Sequence, residues 1–530
     1  MRQHRAALSI TALVGAAVLT ACTTPTGTGS GSGSGGAREG GTVTVGLAEA
    51  PDALDPTVAQ TYVGRIVFAN FCEKLYDVDA GLNLVPQLAA TLPRITDGGK
   101  TYTIKLRSGV RFNDGTPLDA KAVRTTLNHY KTDPKSARAA ELSQIKSVDA
   151  VDPHTVRLRL KTPFAPLTSI LADRSGMILS PAQLDKLGDH FSRHPVCVGP
   201  FQFASRPSSD QIHLVKSRHY YDKSKVHLAG VDFTVVTQPN VRAANLRSGD
   251  IDVADRVRPP DVATLKKASG VKLAPVTSPG YQGITLNVAN GNGAGKSPHK
   301  TVDLPLARHP ELRQAFSLAL DRDTINKVVF QGQYVPGCTP ISPAVPDATG
   351  IRCPGRDIAG AKRLVQNSGV PTPIKVKLVI QSGDTEQTRL GTLIKSEAKP
   401  AGFDVSVQPT EFTTALTQAQ KGDFEAFQVG WSGRLDPDQN IAPFWDPSSA
   451  LNYSGADYPD VMKLIKQERG TTDQARRKQI FAKLARSLMR HGNIIYLFHE
   501  KNILGYRDQV SGIRYYGDGL IRLKSAERTG

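Results

Sequence analysis

"IKVKLVIQ", residues 374–381, and "FDVSVQP", residues 403–409, are two strand-like segments that flank a helical stretch, Thr385–Lys399. Alternating apolar and polar residues mark the strands, and the stretch between them is long enough for a helix. A strand, a helix and a second strand in this order predict a β-α-β unit, and therefore a partly parallel sheet. The sequence thus indicates an α/β protein.

A polar loop follows this unit. A second predicted helix, near Phe412–Gln420, leads into the strand-like segment "DFEAFQVGW", and the stretch "VGWSGRLDPDQN", residues 429–440, begins where that strand ends. Ligands of open α/β sheets bind at the carboxyl ends of the strands. We therefore take Trp431, Arg434 and Asp436 as candidate ligand-binding residues.

The first half of the chain is predicted to form half-buried strands and capped helices. In "KTYTIKLRSGV", residues 100–110, Tyr102, Ile104 and Leu106 alternate with polar residues, which predicts a strand with one face in the core. Asp119 is placed to cap the helix that follows. A chain of 530 residues exceeds the size of a single core, so two or more globular units are expected.

The composition is that of an ordinary soluble protein with an excess of basic residues. Hydrophobic residues make up 39% and charged residues 22%, and the formal net charge is +18. The Lys and Arg residues are spread along the chain without a dense basic block, so nucleic acid is not expected as a partner. Two interpretations remain: a diffuse basic surface, or attraction to anionic lipid headgroups and wall polymers.

The N-terminus predicts export. Two arginines in "MRQHR" precede an uncharged apolar run, Ala6–Ala21, that is short for a membrane span, so residues 1–21 are predicted to be a signal peptide. The run ends in "LTAC", which resembles a bacterial lipobox. Cys22 is therefore predicted to carry fatty acyl groups such as palmitate. Residues 22–40, rich in Gly, Ser and Thr, would form a flexible tether to the cell membrane.

The remaining cysteines are even in number, which favours disulfides in an exported chain. They are Cys72, Cys197, Cys338 and Cys353. Four cysteines allow three pairings, and we favour Cys338 with Cys353, which flank a Pro-rich loop, and Cys72 with Cys197. Zinc is not expected, because no C-x-x-C or close His pair accompanies them.

Signals of catalysis are weak. The sequence has no G-x-S-x-G and no H-E-x-x-H, so neither a serine hydrolase nor a zinc protease is indicated. The stretch "NGNGAGKSP", residues 290–298, nearly matches a phosphate-binding loop, but Asn290 stands where its first glycine should be and Pro298 interrupts the helix start. We expect no enzymatic activity, no cofactor and no metal.

Six longer motifs occur in an order that resembles one protein family. They are "LDPTVAQTYVGRIVFANFCEKLYD", "LVPQLAATLPRITDGGKTYTIKLRSGVRFNDGTPLDAKAV", "VGPFQF", "NLRSGDIDVAD", "RQAFSLALDRDTINKVVFQG" and "GWSGRLDPD". The chain from about residue 40 to its end resembles the extracellular solute-binding proteins, family 5, of dipeptide, oligopeptide and nickel ABC importers. Separate α/β elements would explain the periodicity of these motifs but not their order.

The resemblance implies a two-lobed fold like that of periplasmic binding proteins, of type II, with an extra subdomain and a hinge. Lobe one would be discontinuous, formed by residues 40–280 and 505–530, with the extra subdomain at about 80–199. Lobe two would span residues 281–504. The expected hinge segments are "SPGYQG", residues 278–283, and "HEKNILGY", residues 499–506.

The resemblance also implies a function. The chain would be the lipid-anchored, extracytoplasmic substrate-binding component of an ABC importer, a monomer that captures peptides or a related small solute and delivers them to the permease and ATPase complex. A nickel chelate, haem, an opine or a sugar are alternative solutes. A lipid-anchored surface enzyme or solute receptor is the alternative function.

The loop at residues 429–440 departs from the family pattern. In peptide-binding relatives an acidic residue shortly after the tryptophan pairs with the ligand's α-ammonium, whereas here Arg434 occupies the nearest equivalent position. Asp436 could bind an ammonium or Arg434 a carboxylate; alternatively, an Arg434–Asp438 ion pair would only brace a turn. Tyr62 and Tyr281 are candidates for the opposite wall.

Overall fold

The computed structural model describes residues 40–529. The predicted signal peptide, Cys22 and nearly all of the tether lie outside the described residues. None of the helices within residues 40–529 is long and apolar enough to cross a membrane.

The larger of the two main sheets has seven strands. Its central strand, Thr42–Leu47, pairs in parallel with Gly230–Val235 and with Val253–Ala254, and the other pairings are antiparallel. In spatial order the strands are Val271–Thr277, Lys501–Arg507, Val253–Ala254, Thr42–Leu47, Gly230–Val235, Gln211–Lys216 and Phe201–Ser208.

The second main sheet has six strands and contains the predicted β-α-β unit. Ile374–Gln381 pairs in parallel with Phe403–Thr410, and Thr385–Ala398 is the helix between them, so this prediction is confirmed. In spatial order the strands are Val335–Pro336, Ile494–His499, Tyr281–Leu286, Ala426–Trp431, Ile374–Gln381 and Phe403–Thr410.

A four-stranded antiparallel sheet lies within the range predicted for the extra subdomain. Its strands are Arg94–Thr96, Thr101–Lys105, Thr155–Leu160 and Ile145–Asp152, in that spatial order. Tyr102 and Ile104 are fully buried, as their alternation predicts. Asp119 caps the helix Ala120–Thr132 by accepting a hydrogen bond from the Ala122 backbone N–H at 2.8 Å. Short strand pairs join Tyr76–Val78 to Leu84–Pro86, Val510–Ser511 to Glu527–Arg528, and Arg514–Tyr515 to Ile521–Arg522.

Helices cover the sheets. The α-helices are Tyr62–Phe71, Ala120–Thr132, Leu167–Ile170, Pro181–Leu187, Pro239–Ser248, Pro259–Lys267, Pro305–Arg308, Pro310–Ala319, Arg322–Phe330, Ile358–Asn367, Thr385–Ala398, Phe412–Lys421, Asp438–Trp445, Pro459–Arg469 and Gln474–His491. Short 3₁₀-helices span Asp97–Gly99, Arg174–Gly176, Gly188–Arg193, Lys223–Lys225 and Lys399–Ala401.

The chain passes between the two main sheets at two places. The first lies between the strands that end at Thr277 and begin at Tyr281, and the second lies at Glu500. Both places fall inside the segments expected to act as hinges. The strand that begins at Lys501 already belongs to the seven-stranded sheet, so the second crossing comes before the predicted boundary at residue 504.

Both favoured cysteine pairs are bonded in the structure. The Cα atoms of Cys72 and Cys197 are 4.9 Å apart, and those of Cys338 and Cys353 are 5.5 Å apart. The second bond closes the Pro-rich loop between its two cysteines.

We expect the double replacement of Cys338 and Cys353 by Ser to lower the free energy of unfolding by about 3 kcal/mol. The bond closes a loop with a sequence separation of 15, and opening it restores chain entropy to the unfolded state. Urea denaturation of the oxidised wild type and of the variant measures the difference. Equal stability of the two proteins would contradict the expectation.

Candidate functional site

The loop that follows the strand Ala426–Trp431 is held by one buried side chain. Asn440 accepts hydrogen bonds from the Trp431 indole N–H at 3.1 Å and from the Arg434 backbone N–H at 2.7 Å. Its amide nitrogen donates to the carbonyl oxygen of Arg434 at 2.9 Å and to that of Pro279 at 3.3 Å. Asn440 thus fixes Trp431 and Arg434 relative to each other and to the first crossing segment.

Gly433 makes the close turn of this loop possible. Its φ of +86° lies in the left-handed region, and a Cβ atom there would overlap the backbone of Gly280. The loop can therefore pack directly on the crossing segment that precedes Tyr281.

Arg434 lies on the face of Trp431 and close to an acid that is distant along the chain. Its guanidinium carbon is 4.6 Å from the indole ring centroid, and its Nε is 3.9 Å from Asp173 Oδ2. Asp173 Oδ1 accepts a hydrogen bond from Arg65 Nε at 3.0 Å. Within residues 40–529, the Arg434 guanidinium donates to one acceptor, the Gly433 carbonyl oxygen at 2.9 Å. Most of its N–H groups are therefore available to a ligand.

The charges around Arg434 are unbalanced. Burial lowers the pKa of Arg434, as does the neighbouring charge of Arg65. Although burial alone would raise it, the positive charges of Arg65, Arg174 and Arg434 hold the pKa of Asp173 well below its usual range. We call the following six side chains the arginine cluster: Arg65, Arg138, Arg174, Arg434, Glu141 and Asp173.

Two of these arginines have structural partners. Arg138 pairs with Glu141 at 2.8 Å, and both Arg138 and Arg174 donate to the carbonyl oxygen of Ala59. Burial lowers the pKa of Arg174 to about 9. The arginine cluster still has more cations than carboxylates, and this excess in a largely buried place favours an anionic ligand group beside Arg434 and Arg65.

Tyr62 adjoins the arginine cluster. It lies three residues before Arg65 on the helix Tyr62–Phe71, so the two side chains share a face. The ring of Tyr62 lies between two guanidinium groups, 6.0 Å from that of Arg65 and 5.2 Å from that of Arg256. Burial raises the pKa of Tyr62, which keeps its hydroxyl neutral, and this hydroxyl donates to the Asp518 carbonyl oxygen at 3.4 Å.

Tyr281 packs among the aromatic side chains that support Trp431. It is 4% exposed and makes edge-to-face contacts with Tyr496, at 4.9 Å between ring centroids, and with Phe444, at 5.9 Å. Phe444 in turn contacts Trp431 at 5.2 Å. Tyr281 therefore supports the tryptophan through this aromatic group, and a direct contact with solute stays a prediction.

The ion pair considered between Arg434 and Asp438 does not form, and that interpretation is wrong. Asp438 is the first residue of the helix Asp438–Trp445 and bonds Arg469 through both oxygens, at 2.7 and 3.3 Å. Arg434 precedes this helix, so the two residues do not share a helical face.

The Asp436 carboxylate already pairs with another side chain of this protein. Its two oxygens accept hydrogen bonds from Arg477 at 2.6 and 2.8 Å, and Arg477 also bonds Glu468 at 2.6 Å. All three side chains are buried. Burial raises the pKa of Glu468 well above its usual range. These contacts give Asp436 a part in holding the loop against two helices.

Sequence reasoning missed three residues of this site. Arg65 and Asp173 are 108 positions apart, so no local pattern relates them. Arg65 could have been suspected from its spacing to Tyr62. Asn440 lies inside the quoted loop, and asparagine side chains often bond nearby backbone groups in such turns. Residues 40–529 contain no group of His, Cys, Asp and Glu side chains placed to hold a metal ion.

Comparison with known proteins agrees with the expected family. Residues 83–452 match the family model of the bacterial extracellular solute-binding proteins, family 5 Middle. The glutathione-binding protein GsiB of Pectobacterium atrosepticum is 27% identical over 493 residues, which cover 90% of this chain and 92% of that protein.

Solved structures share the fold. The substrate-binding protein CtaP of Listeria monocytogenes superposes with a TM-score of 0.82 at 22% identity, covering 93% of this chain and 100% of that one. AgaA from A. tumefaciens R10, solved with agropinic acid, gives a TM-score of 0.74 at 25% identity and covers 92% of this chain and 96% of its own. The predicted two-lobed α/β fold is confirmed.

Proposed function

This chain belongs to the bacterial extracellular solute-binding proteins, family 5, and we propose that it is the lipid-anchored substrate-binding component of an ABC importer. The solute is a peptide or a related small organic acid. The protein captures it outside the membrane, closes its two lobes over it and delivers it to the permease.

The observation that carries the choice of solute is the unused hydrogen-bonding capacity of Arg434. Its guanidinium is stacked on Trp431, largely buried and bonded to only one acceptor within residues 40–529. A planar guanidinium binds a carboxylate through two parallel hydrogen bonds. The named ligands of two relatives, glutathione and agropinic acid, both carry carboxylates. We therefore assign a solute carboxylate to Arg434, with Arg65 as the second donor.

Isothermal titration against a defined panel tests this proposal. The panel contains glutathione, agropinic acid, di- to tetrapeptides, and the same peptides with a C-terminal carboxamide. We expect at least one acid to bind, and its carboxamide to bind at least tenfold more weakly, about 1.4 kcal/mol. Equal binding of an acid and its carboxamide would overturn the assignment of the carboxylate to Arg434.

The lipid anchor rests on "LTAC" and Cys22, which precede the described residues. We expect Cys22→Ala to abolish acylation and to release the protein from the membrane fraction, because the tether has no other strongly apolar segment. Intact-protein mass spectrometry and detergent partitioning measure the outcome. The lipobox interpretation fails if the variant carries the same acyl mass as the wild type.

Lobe closure is expected to accompany binding. Arg434 follows the strand Ala426–Trp431 of the six-stranded sheet, in the proposed lobe two. Asp173 belongs to the proposed lobe one, and the two side chains are 3.9 Å apart. A solute that contacts both sides stabilises the closed state only through its higher affinity for that state. Small-angle scattering should therefore show a smaller radius of gyration after addition of a bound acid from the panel. An open free protein whose radius does not change would contradict closure.

A further inference from the structure

A cavity is lined by residues that lie close in sequence to Arg434 and Asp173. It has a volume of about 440 Å³, and apolar and polar residues line it in equal number. Its apolar lining includes Leu82, Leu84, Leu92, Pro346 and Leu435. Leu92 is 49% exposed, so the cavity is open to solvent at this residue. The cavity offers space for an aliphatic group.

The cavity adjoins Arg434. Leu435, which lines it, is the next residue along the chain, so the two backbones are joined by one peptide bond. Thr168 and Ser169 also line the cavity, and they belong to the short helix Leu167–Ile170, just before Asp173. The cavity is therefore lined by residues close in sequence to both Arg434 and Asp173.

The lining includes a carboxylate oxygen that accepts no hydrogen bond from the described residues. Asp347 lines the cavity, and its Oδ1 is buried without a hydrogen-bond partner in the described part of the chain. Burial and the charge of Asp436 raise the pKa of Asp347 to about 6, although Arg477 and Lys478 act in the opposite direction. A buried acceptor without a partner carries a desolvation cost that a ligand donor would remove.

Neighbouring cations do not satisfy Asp347. Arg477 donates to both oxygens of Asp436 and to Glu468, and no hydrogen bond joins it to Asp347 within residues 40–529. The surroundings of Asp347 therefore favour a cation, whereas the arginine cluster favours an anion. The two charge preferences orient a dipolar solute across the site.

We propose that this cavity binds an aliphatic side chain that ends in an ammonium group, carried by a solute whose carboxylate lies at Arg434. This inference rests on the proposed function and narrows its solute class to acids such as peptides with a C-terminal lysine or ornithine. The leucines contact the methylene groups, and Asp347 accepts a hydrogen bond from the ammonium. A lysine side chain suits this arrangement because its four-carbon stem is apolar and its charge is compact.

Matched tripeptides test the inference by isothermal titration. The probes are Ala-Ala-Lys and Ala-Ala-norleucine, which differ by the terminal ammonium while keeping the same aliphatic chain. We expect the lysine peptide to bind the wild type at least tenfold more tightly. Asp347→Asn should remove that advantage and leave the affinity for the norleucine peptide unchanged. Asp404→Asn, on an exposed strand position of the six-stranded sheet, is the matched control and should keep it.

The outcomes separate the inference from the proposed function. Equal affinities of the wild type for both peptides, an advantage that survives in Asp347→Asn, or no binding of either peptide would overturn the inference. If the panel acids still lose affinity in Arg434→Ala, the proposed function stands. If Arg434→Ala leaves the affinity for every bound acid unchanged, the assignment to Arg434 fails instead.

Discussion

Arg434→Ala should weaken binding of the solute at least a hundredfold, about 2.8 kcal/mol. The substitution removes the donors that would face the solute carboxylate, and it leaves that carboxylate near Asp173, whose charge is then balanced by fewer arginines. Removing one partner of a largely buried, hydrogen-bonded charge pair commonly costs 2 kcal/mol or more, about this size, because the other charge is left unpaired. Titration of wild type and variant with the same acid measures the loss.

Two further variants, one conservative replacement and one surface control, are compared with Arg434→Ala. Arg434→Lys keeps the positive charge but loses the planar fork and much of the stacking on Trp431, so we expect an intermediate affinity. Arg308→Ala removes an arginine from an exposed ion pair with Asp303 and should bind like the wild type. Unaltered affinity in Arg434→Ala would show that the solute carboxylate lies elsewhere.

Arg477→Met should lower the free energy of unfolding by about 3–5 kcal/mol. Arg477 bonds both oxygens of Asp436 and the buried Glu468, and methionine can fill much of its volume without replacing its charge. Two carboxylates would then be buried without their shared cation. Urea denaturation measures the loss, and the loop that carries Arg434 should lose order with it.

A matched control lies on the same helix, Gln474–His491. Arg486 is exposed and its guanidinium makes only a long contact to the Ala482 carbonyl oxygen within the described residues, so Arg486→Met should change stability by no more than about 0.5 kcal/mol. If Arg477→Met were as stable as this control, the buried ion-pair network would have no part in holding the loop.

These contacts change the interpretation of Asp436. From the sequence, Asp436→Ala is expected to weaken solute binding while leaving the fold intact. The structure places the Asp436 carboxylate in a bidentate pair with Arg477, 41 positions away. We therefore expect Asp436→Ala to act first on the stability of the loop.

Local patterns predicted the elements of this fold well. The parallel pairing of Ile374–Gln381 with Phe403–Thr410 and the cap at Asp119 both depend on residues that are close along the chain. Periodicity and capping reflect interactions between residues that are close along the chain. The positions of these strands and helices can therefore be predicted from the sequence alone. The order of the motifs indicated how these elements combine.

The site was predicted less completely, because its geometry depends on distant residues. The sequence drew attention to Trp431 and Arg434 but could not show that Asp173 approaches Arg434 from a segment far away in the chain. Nor could it distinguish a free carboxylate from a paired one, so Asp436 was expected to be free for a ligand and Asp347 was not considered. Which buried charges form pairs depends on how distant segments pack together in the folded molecule.

The central claim is that Arg434 binds the solute carboxylate, and a thermodynamic cycle tests it most directly. Wild type and Arg434→Ala are each titrated with the tightest-binding peptide acid of the panel and with its carboxamide. If the claim is right, the acid binds the wild type at least tenfold more tightly than the amide, about 1.4 kcal/mol, and the two bind Arg434→Ala about equally. The same preference for the acid in both proteins would contradict it.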